Sequence, residues 1–220
     1  MLPGLYSSAA GMLGRLEQQD IIANNLANVN TAGFKRTAVG FLGFDRALQG
    51  AAQATGSSYV LPQLVVQEDA RQGSVQDTDV PTNLALDGPG FFVVQTEAGE
   101  RLVRGGNFRL DSTGRLMTSD GSPVLGERGS IQVGAGKWSV DADGNIRSGQ
   151  TLIDRLRIEK GPNDGSVRVV SGSLEGSNVS AVEEMVSMIA AMRAYEACQK
   201  TIQALDQTLD KAINQMGRTG

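Results

Sequence analysis

Few residues of this 220-residue chain have the type and spacing for chemistry, and each set stops short of a site. Asp141, Asp143 and Asn145 stand at the alternate places that open a calcium loop. An EF-hand loop then needs a glycine at its sixth place and a bidentate glutamate at its twelfth, and here those places hold Ile146 and Leu152. A hairpin turn accounts for the same Asp-Ala-Asp-Gly-Asn string. Gly88-x-Gly90 and Gly134-x-Gly136 could each begin a phosphate loop, but neither opens a helical pattern nor has the third glycine, so no helix N-terminus would face an anion. Carboxylates are plentiful, yet no spacing marks a pair of the kind that cleaves glycosides.

Histidine is absent, which removes the commonest general base and the commonest zinc ligand together. Cys198 is the single cysteine, so an internal disulfide and a cysteine-based metal cluster are both excluded. Beside Ala194, Ala197 and Ile202 in a helical pattern, it reads as a small buried hydrophobe. Tyr195, flanked by Arg193 and Glu196, either donates a hydrogen bond across a helix interface or simply fills a seam. The expectation is no catalytic residue, no metal ligand and no cofactor.

The elements around these residues carry a clearer message. Leu5, Ala9, Met12, Leu16, Ala23 and Leu26 recur at alternating steps of four and three, with Gln19 in the one polar place, which is a heptad seam on a helix over residues 4–28. Such a helix is marginal alone in water and needs a partner. The partner is a second helical pattern over residues 179–216. Its first part has two apolar stripes, Val182, Val186, Ile189 and Met185, Met188, Met192, Tyr195. Its second part, Cys198, Ile202, Leu205, Leu209, Ala212 and Met216, keeps steps of four and three, after a phase slip between Tyr195 and Cys198.

Between the helices the chain changes character. Asn24, Asn25, Asn28 and Asn30, followed by Gly33, predict that the first helix frays and turns. Phe34, Phe41 and Phe44 are expected to pack back onto the first domain. Residues 48–58 have linker composition, and strand-like material follows over 59–67. From 75 to 170 short apolar runs alternate with turn signals, the rhythm of an all-β domain. Phe91-Phe92-Val93-Val94 is its strongest strand, and 111–114 and 141–144 are two similar hairpin loops. The predicted fold is α+β, a discontinuous coiled coil of residues 1–35 and 178–220, a connecting segment over 36–72, and an inserted all-β domain over 73–177.

A formal net charge of −4 gives no field that would gather nucleic acid or an anionic membrane, so neither is an expected partner. No apolar run approaches 18 residues, so membrane insertion is not expected. Residues 1–7 lack the basic and apolar regions of a secretory signal, which implies export, if any, without a cleaved signal peptide.

The two ends also carry a recognisable signature. Ser7-Ser8-Ala9-Ala10-Gly11-Met12, Ala23-Asn24-Asn25-Leu26-Ala27-Asn28, Thr31 and Gly33-Phe34-Lys35 resemble the N-terminal motif of the bacterial flagellar rod and hook proteins. Glu175-Gly176-Ser177-Asn178-Val179, Glu184-Met185-Val186, Met188-Ile189, Arg193-Ala194-Tyr195-Glu196 and Asp206 resemble that family's C-terminal motif. Leu84-Ala85-Leu86, Gly88, Gly90-Phe91-Phe92-Val93-Val94 and Arg104-x-Gly106-Asn107-Phe108 look like its inserted β domain. Pro89 departs from the usual residue there.

The resemblance implies a non-enzymatic basal-body subunit whose terminal helices form an axial inner tube and whose β domain forms the outer layer. Its partners would be copies of itself, other rod and hook axial proteins, and the flagellar type III export apparatus. Gly172 to Val179 and the single β domain look most like the proximal rod type, with the distal rod type close behind. A hook type would need a further outer domain. The assembly interface expected on this basis comprises Leu5, Met12, Leu16, Ala23, Asn25, Leu26, Met185, Ile189, Met192, Tyr195, Ile202, Leu205 and Leu209. The rival reading is a secreted carbohydrate-binding or hydrolytic β domain with helical oligomerisation ends.

Overall fold

A computed structural model describes residues 2–42, 63–134, 136–161 and 165–216. Side chains are described for 8–40, 65–134, 136–161, 165–211 and 214, so Leu5, Phe41, Phe44, Ala212 and Met216 lie outside the described side chains. The chain mixes two long helices with many short antiparallel strands, an α+β fold. It divides into two compact units.

The first unit holds Met1–Ala27, Thr37–Asp69 and Ser180–Gly220. Helix α1 (Leu2–Ala27) carries Pro3 in its first turn, where a missing N–H costs nothing, and ends where Asn28 to Asn30 turn. Helix α2 (Ala181–Met216) starts from Ser180, whose Oγ accepts from Glu183 N at 3.4 Å. Glu183 and Glu184 in its first turn favour the helix dipole. The helices run antiparallel: Asn25 meets Glu184, and a Cβ added at Gly11 would stand 3.5 Å from Cys198 Sγ. Strands β1 (Thr37–Leu42) and β2 (Gln63–Glu68) form a two-stranded ribbon in the same unit.

The helices pair through faces that depart from the expected seams on α1 and at the start of α2, whereas Cys198, Ile202, Leu205 and Leu209 keep their expected places on the inward face. On α1 the series Ser8, Gly11, Arg15, Gln18, Ile22 and Asn25, one residue earlier at every step than the apolar heptad, is half-buried or buried throughout, while the heptad is half-buried at Ala9, Met12 and Leu26. Ile22 and Asn25 are buried, whereas Leu16 (42% exposed) and Ala23 face solvent. On α2 the series Glu184, Met188, Ala191, Tyr195, Cys198, Ile202, Leu205 and Leu209 keeps steps of four and three without interruption. The expected phase slip is therefore absent. Ala191 and Glu184 are buried in the places where apolar periodicity favoured Met192 and Met185.

The second unit holds Asn28–Arg36 and Ala70–Val179. This differs from the sequence boundaries: the leg after α1 belongs to the β unit, and the β1–β2 ribbon belongs with the helices. The strands are β3 (Val75–Asp77), β4 (Leu84–Asp87), β5 (Gly90–Thr96), β6 (Gly99–Val103), β7 (Arg109–Leu110), β8 (Leu116–Met117), β9 (Leu125–Gly126), β10 (Gly129–Ser130), β11 (Ser139–Val140), β12 (Asn145–Ser148), β13 (Thr151–Arg155), β14 (Ile158–Lys160), β15 (Arg168–Ser171) and β16 (Ser173–Glu175). They form the sets β14-β5-β6, β11-β12-β13, β15-β4, β16-β3, β7-β8 and β10-β9.

The middle of β5 is buried without alternation, as a strand covered on both faces must be. Phe92 meets Phe108 edge to face, with ring centroids 5.1 Å apart, in a core with Leu84, Leu116, Ile131 and Ile146. The loops 111–114 and 141–144 are hairpin turns, the first between β7 and β8 and the second between β11 and β12. In each, the first aspartate accepts from backbone amides two and four residues on. Phe34, expected against the first domain, belongs instead to this β unit.

Candidate functional site

The most densely connected polar site of the β unit centres on Glu175, the last residue of β16. Its side chain is 1% exposed, and it faces Arg104, itself 6% exposed, just after β6. Arg104 Nε donates to Glu175 Oε2 at 2.6 Å, and Lys35 Nζ donates to Oε1 at 2.6 Å. Gly73 N donates to the same Oε1 at 3.1 Å. The remaining guanidinium donors reach carbonyls: Nη1 to Gly88 and Gly90, and Nη2 to Leu86 at 2.8 Å. Lys35 Nζ also reaches Arg71 O at 2.8 Å. Two cations on one carboxylate leave a net positive charge, which these carbonyl oxygens help to solvate.

The backbone is drawn in around this network. Gly33 N donates to Glu175 O at 2.7 Å, and Gly33 takes φ +69°. A Cβ there would lie 2.4 Å from Gly105 N, so glycine is required on both counts. Arg36 N donates to Asn178 Oδ1 at 2.6 Å, and Asn178 Nδ2 to Arg71 O at 3.0 Å. The leg leaving α1 and the leg entering α2 are thus fastened side by side.

In the helical unit the corresponding feature is Asn25, 1% exposed. Its Nδ2 donates to Thr37 O at 2.9 Å, and its Oδ1 accepts from Thr37 N at 2.9 Å. The amide imitates one rung of a strand and fixes the start of β1 on α1. Nδ2 also reaches the buried Glu184 carboxylate at 3.3 Å.

Of the interface residues expected from sequence, Asn25 is buried, and Met12, Leu26, Tyr195, Ile202, Leu205 and Leu209 are half-buried. Leu16, Ala23, Met185, Ile189 and Met192 are exposed, and the Leu5 side chain lies outside those described. Met185, Ile189 and Met192 join Val182, 72% exposed, and Val186 in an apolar face along the first three turns of α2. Sequence reasoning did not foresee the Lys35–Glu175–Arg104 network as a site, although all three residues lie in the quoted motifs. Three motifs separated in the chain, each holding a charge beside small or turn residues, were the available signal.

Other surfaces offer less chemistry. An open cleft of about 470 Å³ is lined by Arg155, Arg157 and Lys160 with Glu127 and Asp143. Its arginines are engaged, Arg157 with Glu100 at 2.8 Å and Arg155 with Glu127 at 3.7 Å. Among the described residues no group of three or more His, Cys, Asp or Glu side chains could hold a metal ion. Among them, too, no helix is long and apolar enough to cross a membrane.

These features define a class: a discontinuous α+β protein whose two ends pair as helices and whose β unit is closed by its own first and last legs. Comparison with known families specifies it. Residues 5–35 match the family described as flagella basal body rod protein, residues 85–148 the flagellar hook protein FlgE/F/G D1 domain, and residues 170–216 the flagellar basal body rod FlgEFG protein C-terminal region. The chain is similar to the flagellar basal-body rod protein FlgG of Bacillus subtilis, 31% identical over 97% of this chain and 99% of the relative. It is equally similar to FlgG of Borreliella burgdorferi, 32% identical over 97% and 98%, and to FlgF of Escherichia coli, 32% identical over 94% and 96%. The chain belongs to the flagellar basal-body rod proteins and is a structural subunit of the rod in the flagellar basal body.

Proposed function

We propose that this subunit polymerises through its terminal helices, which join those of neighbouring copies in a coiled-coil axial layer while the β unit forms the outer layer. The carrying observation is the solvent-facing stripe Val182, Met185, Val186, Ile189 and Met192. Contiguous apolar faces of this kind mark association surfaces, because each well-buried side chain contributes roughly 1.5–3 kcal/mol. Leu16 on α1, left outside the intrachain pairing, is a second such element. Its partners are copies of itself and other rod and hook axial proteins, without catalysis, nucleic acid or membrane insertion. Delivery is by the flagellar type III export apparatus. The proximal rod is the favoured segment, on the residues 172–179 and the single β domain; the distal rod is the close second.

The experiment is a charge placed in the stripe. Met185→Glu/Ile189→Glu is expected to leave the monomer's circular dichroism intact and to abolish polymer in sedimentation and motility in complemented cells. Normal polymer and motility would overturn the reading. Complementation of two strains, one lacking the FlgF-type and one lacking the FlgG-type protein, distinguishes the rod segments.

A further inference from the structure

The Glu175 network joins parts of the chain that are far apart in sequence: its carboxylate reaches Arg104 across 71 positions, Gly73 across 102 and Lys35 across 140. Arg104 in turn holds the end of β4 and the start of β5 together through the carbonyls of Leu86, Gly88 and Gly90. Closing β4 and β5 therefore carries a guanidinium into the interior. Carbonyl oxygens satisfy its N–H groups, but a buried cation also needs an opposite charge, and a lone one is strongly unfavourable. Among the described residues the only ion-pair partner of Arg104 is Glu175. Strand β4 also waits for the same segment, since its pairing strand is β15, Leu84 opposite Ser171 and Leu86 opposite Val169.

We infer that Glu175 is a closing latch: the core around β4 and β5 completes only when residues 168–178 have arrived, and a chain whose end is held back stays open. Gly33 and Lys35 dock on Glu175 through its carbonyl and its carboxylate, so the leg from α1 is fastened in the same event. The latch is a property of the chain itself and stands apart from the polymerisation proposed above.

The test is refolding of the full-length chain from denaturant with pulse-labelled hydrogen exchange. Amides of β4 and β5 are expected to gain protection together with those of β15, in one phase shared with Trp138 fluorescence. Protection of β4 and β5 in a separate, faster phase would overturn the inference. Glu175→Gln keeps the shape and removes the counter-charge, and is expected to slow refolding of the whole unit at least tenfold; an unchanged rate would also overturn it. Lys35→Met/Arg104→Met/Glu175→Leu removes the charges together. It is expected to let β5 run ahead of β15, whereas continued simultaneous protection assigns the coupling to strand pairing alone and removes Glu175 from it. Should the triple variant fail to fold, the wild-type order and the Glu175→Gln rate decide the matter.

Discussion

At the scale of residues, the polar groups that matter are those whose partners are fixed by the fold. Arg104→Met leaves Glu175 buried with only Lys35 and Gly73 as donors. Removing one member of a buried pair costs about 3–5 kcal/mol. Arg104→Met/Glu175→Leu is expected to cost less than the sum of the two single changes, because neither change then strands the other's charge and only the Lys35 ammonium, which keeps Arg71 O, loses its counter-ion; urea unfolding of the four proteins gives the coupling. A second prediction concerns Asp111 at the tip of the first hairpin. Its carboxyl is held well below the ordinary value of 3.8, chiefly by the backbone N–H of Arg115 and then by the Thr113 hydroxyl. A depressed folded-state value means that this contribution is fully present above the unfolded value and is lost as pH falls through the folded one. A carboxyl-carbon NMR titration is expected to show Asp111 still ionised at a pH where an ordinary aspartate is half protonated; a midpoint near 3.8 would refute the assignment. Asp141, lowered first by the side chain and then by the backbone of Asn145, follows the same sign.

At the scale of elements, the helical pair separates two roles that one apolar periodicity merged. Ile22 is buried inside the chain, whereas Leu16 and Met185 point outward. Ile22→Ala is thus expected to destabilise the monomer's helical unit by about 2–5 kcal/mol, the range for a buried large-to-small change. Leu16→Ala and Met185→Ala are expected to leave monomer unfolding within about 0.5 kcal/mol of the parent, the usual range for surface sites, and to weaken polymerisation instead. Parallel melts and sedimentation of the three variants separate the roles, and equal monomer effects would abolish the distinction. The existence of both helices, the β insertion and the hairpins at 111–114 and 141–144 was legible because apolar spacing and Asp-Gly turns are local signals. The later part of the α2 face was legible too, but the α1 face and the start of the α2 face were not, because they are built on Gly11, Asn25, Glu184 and Ala191, residues that a hydrophobic pattern passes over. A glycine that faces a cysteine and a buried carboxylate that faces one amide acquire meaning only from a partner more than a hundred residues away. For the same reason Lys35, Arg104 and Glu175 could be noticed as motif members but not joined.

At the scale of the whole molecule, the two units are unequally provided with core. The buried apolar cluster, Leu84, Phe92, Phe108, Leu116 and their neighbours, lies entirely in the β unit. Among the described residues the helical unit buries only Ile22 and Ala191 among its apolar side chains, while its largest apolar face is exposed. A helical pair with so little interior is marginal in a dilute monomer, because ordering costs about 1–2 kcal/mol per residue in backbone entropy. The β unit has a real core and the Glu175 network, and does not share that weakness. Heating a dilute monomer is thus expected to give two transitions, with far-ultraviolet helix signal lost first and Trp138 fluorescence, which reports the β unit, lost later. If association through the helices supplies the missing burial, mass action raises the first transition as protein concentration increases and leaves the second in place. A single transition, with both signals coincident and independent of concentration, would show that the helices are stabilised within the monomer by contacts other than those of the exposed α2 stripe.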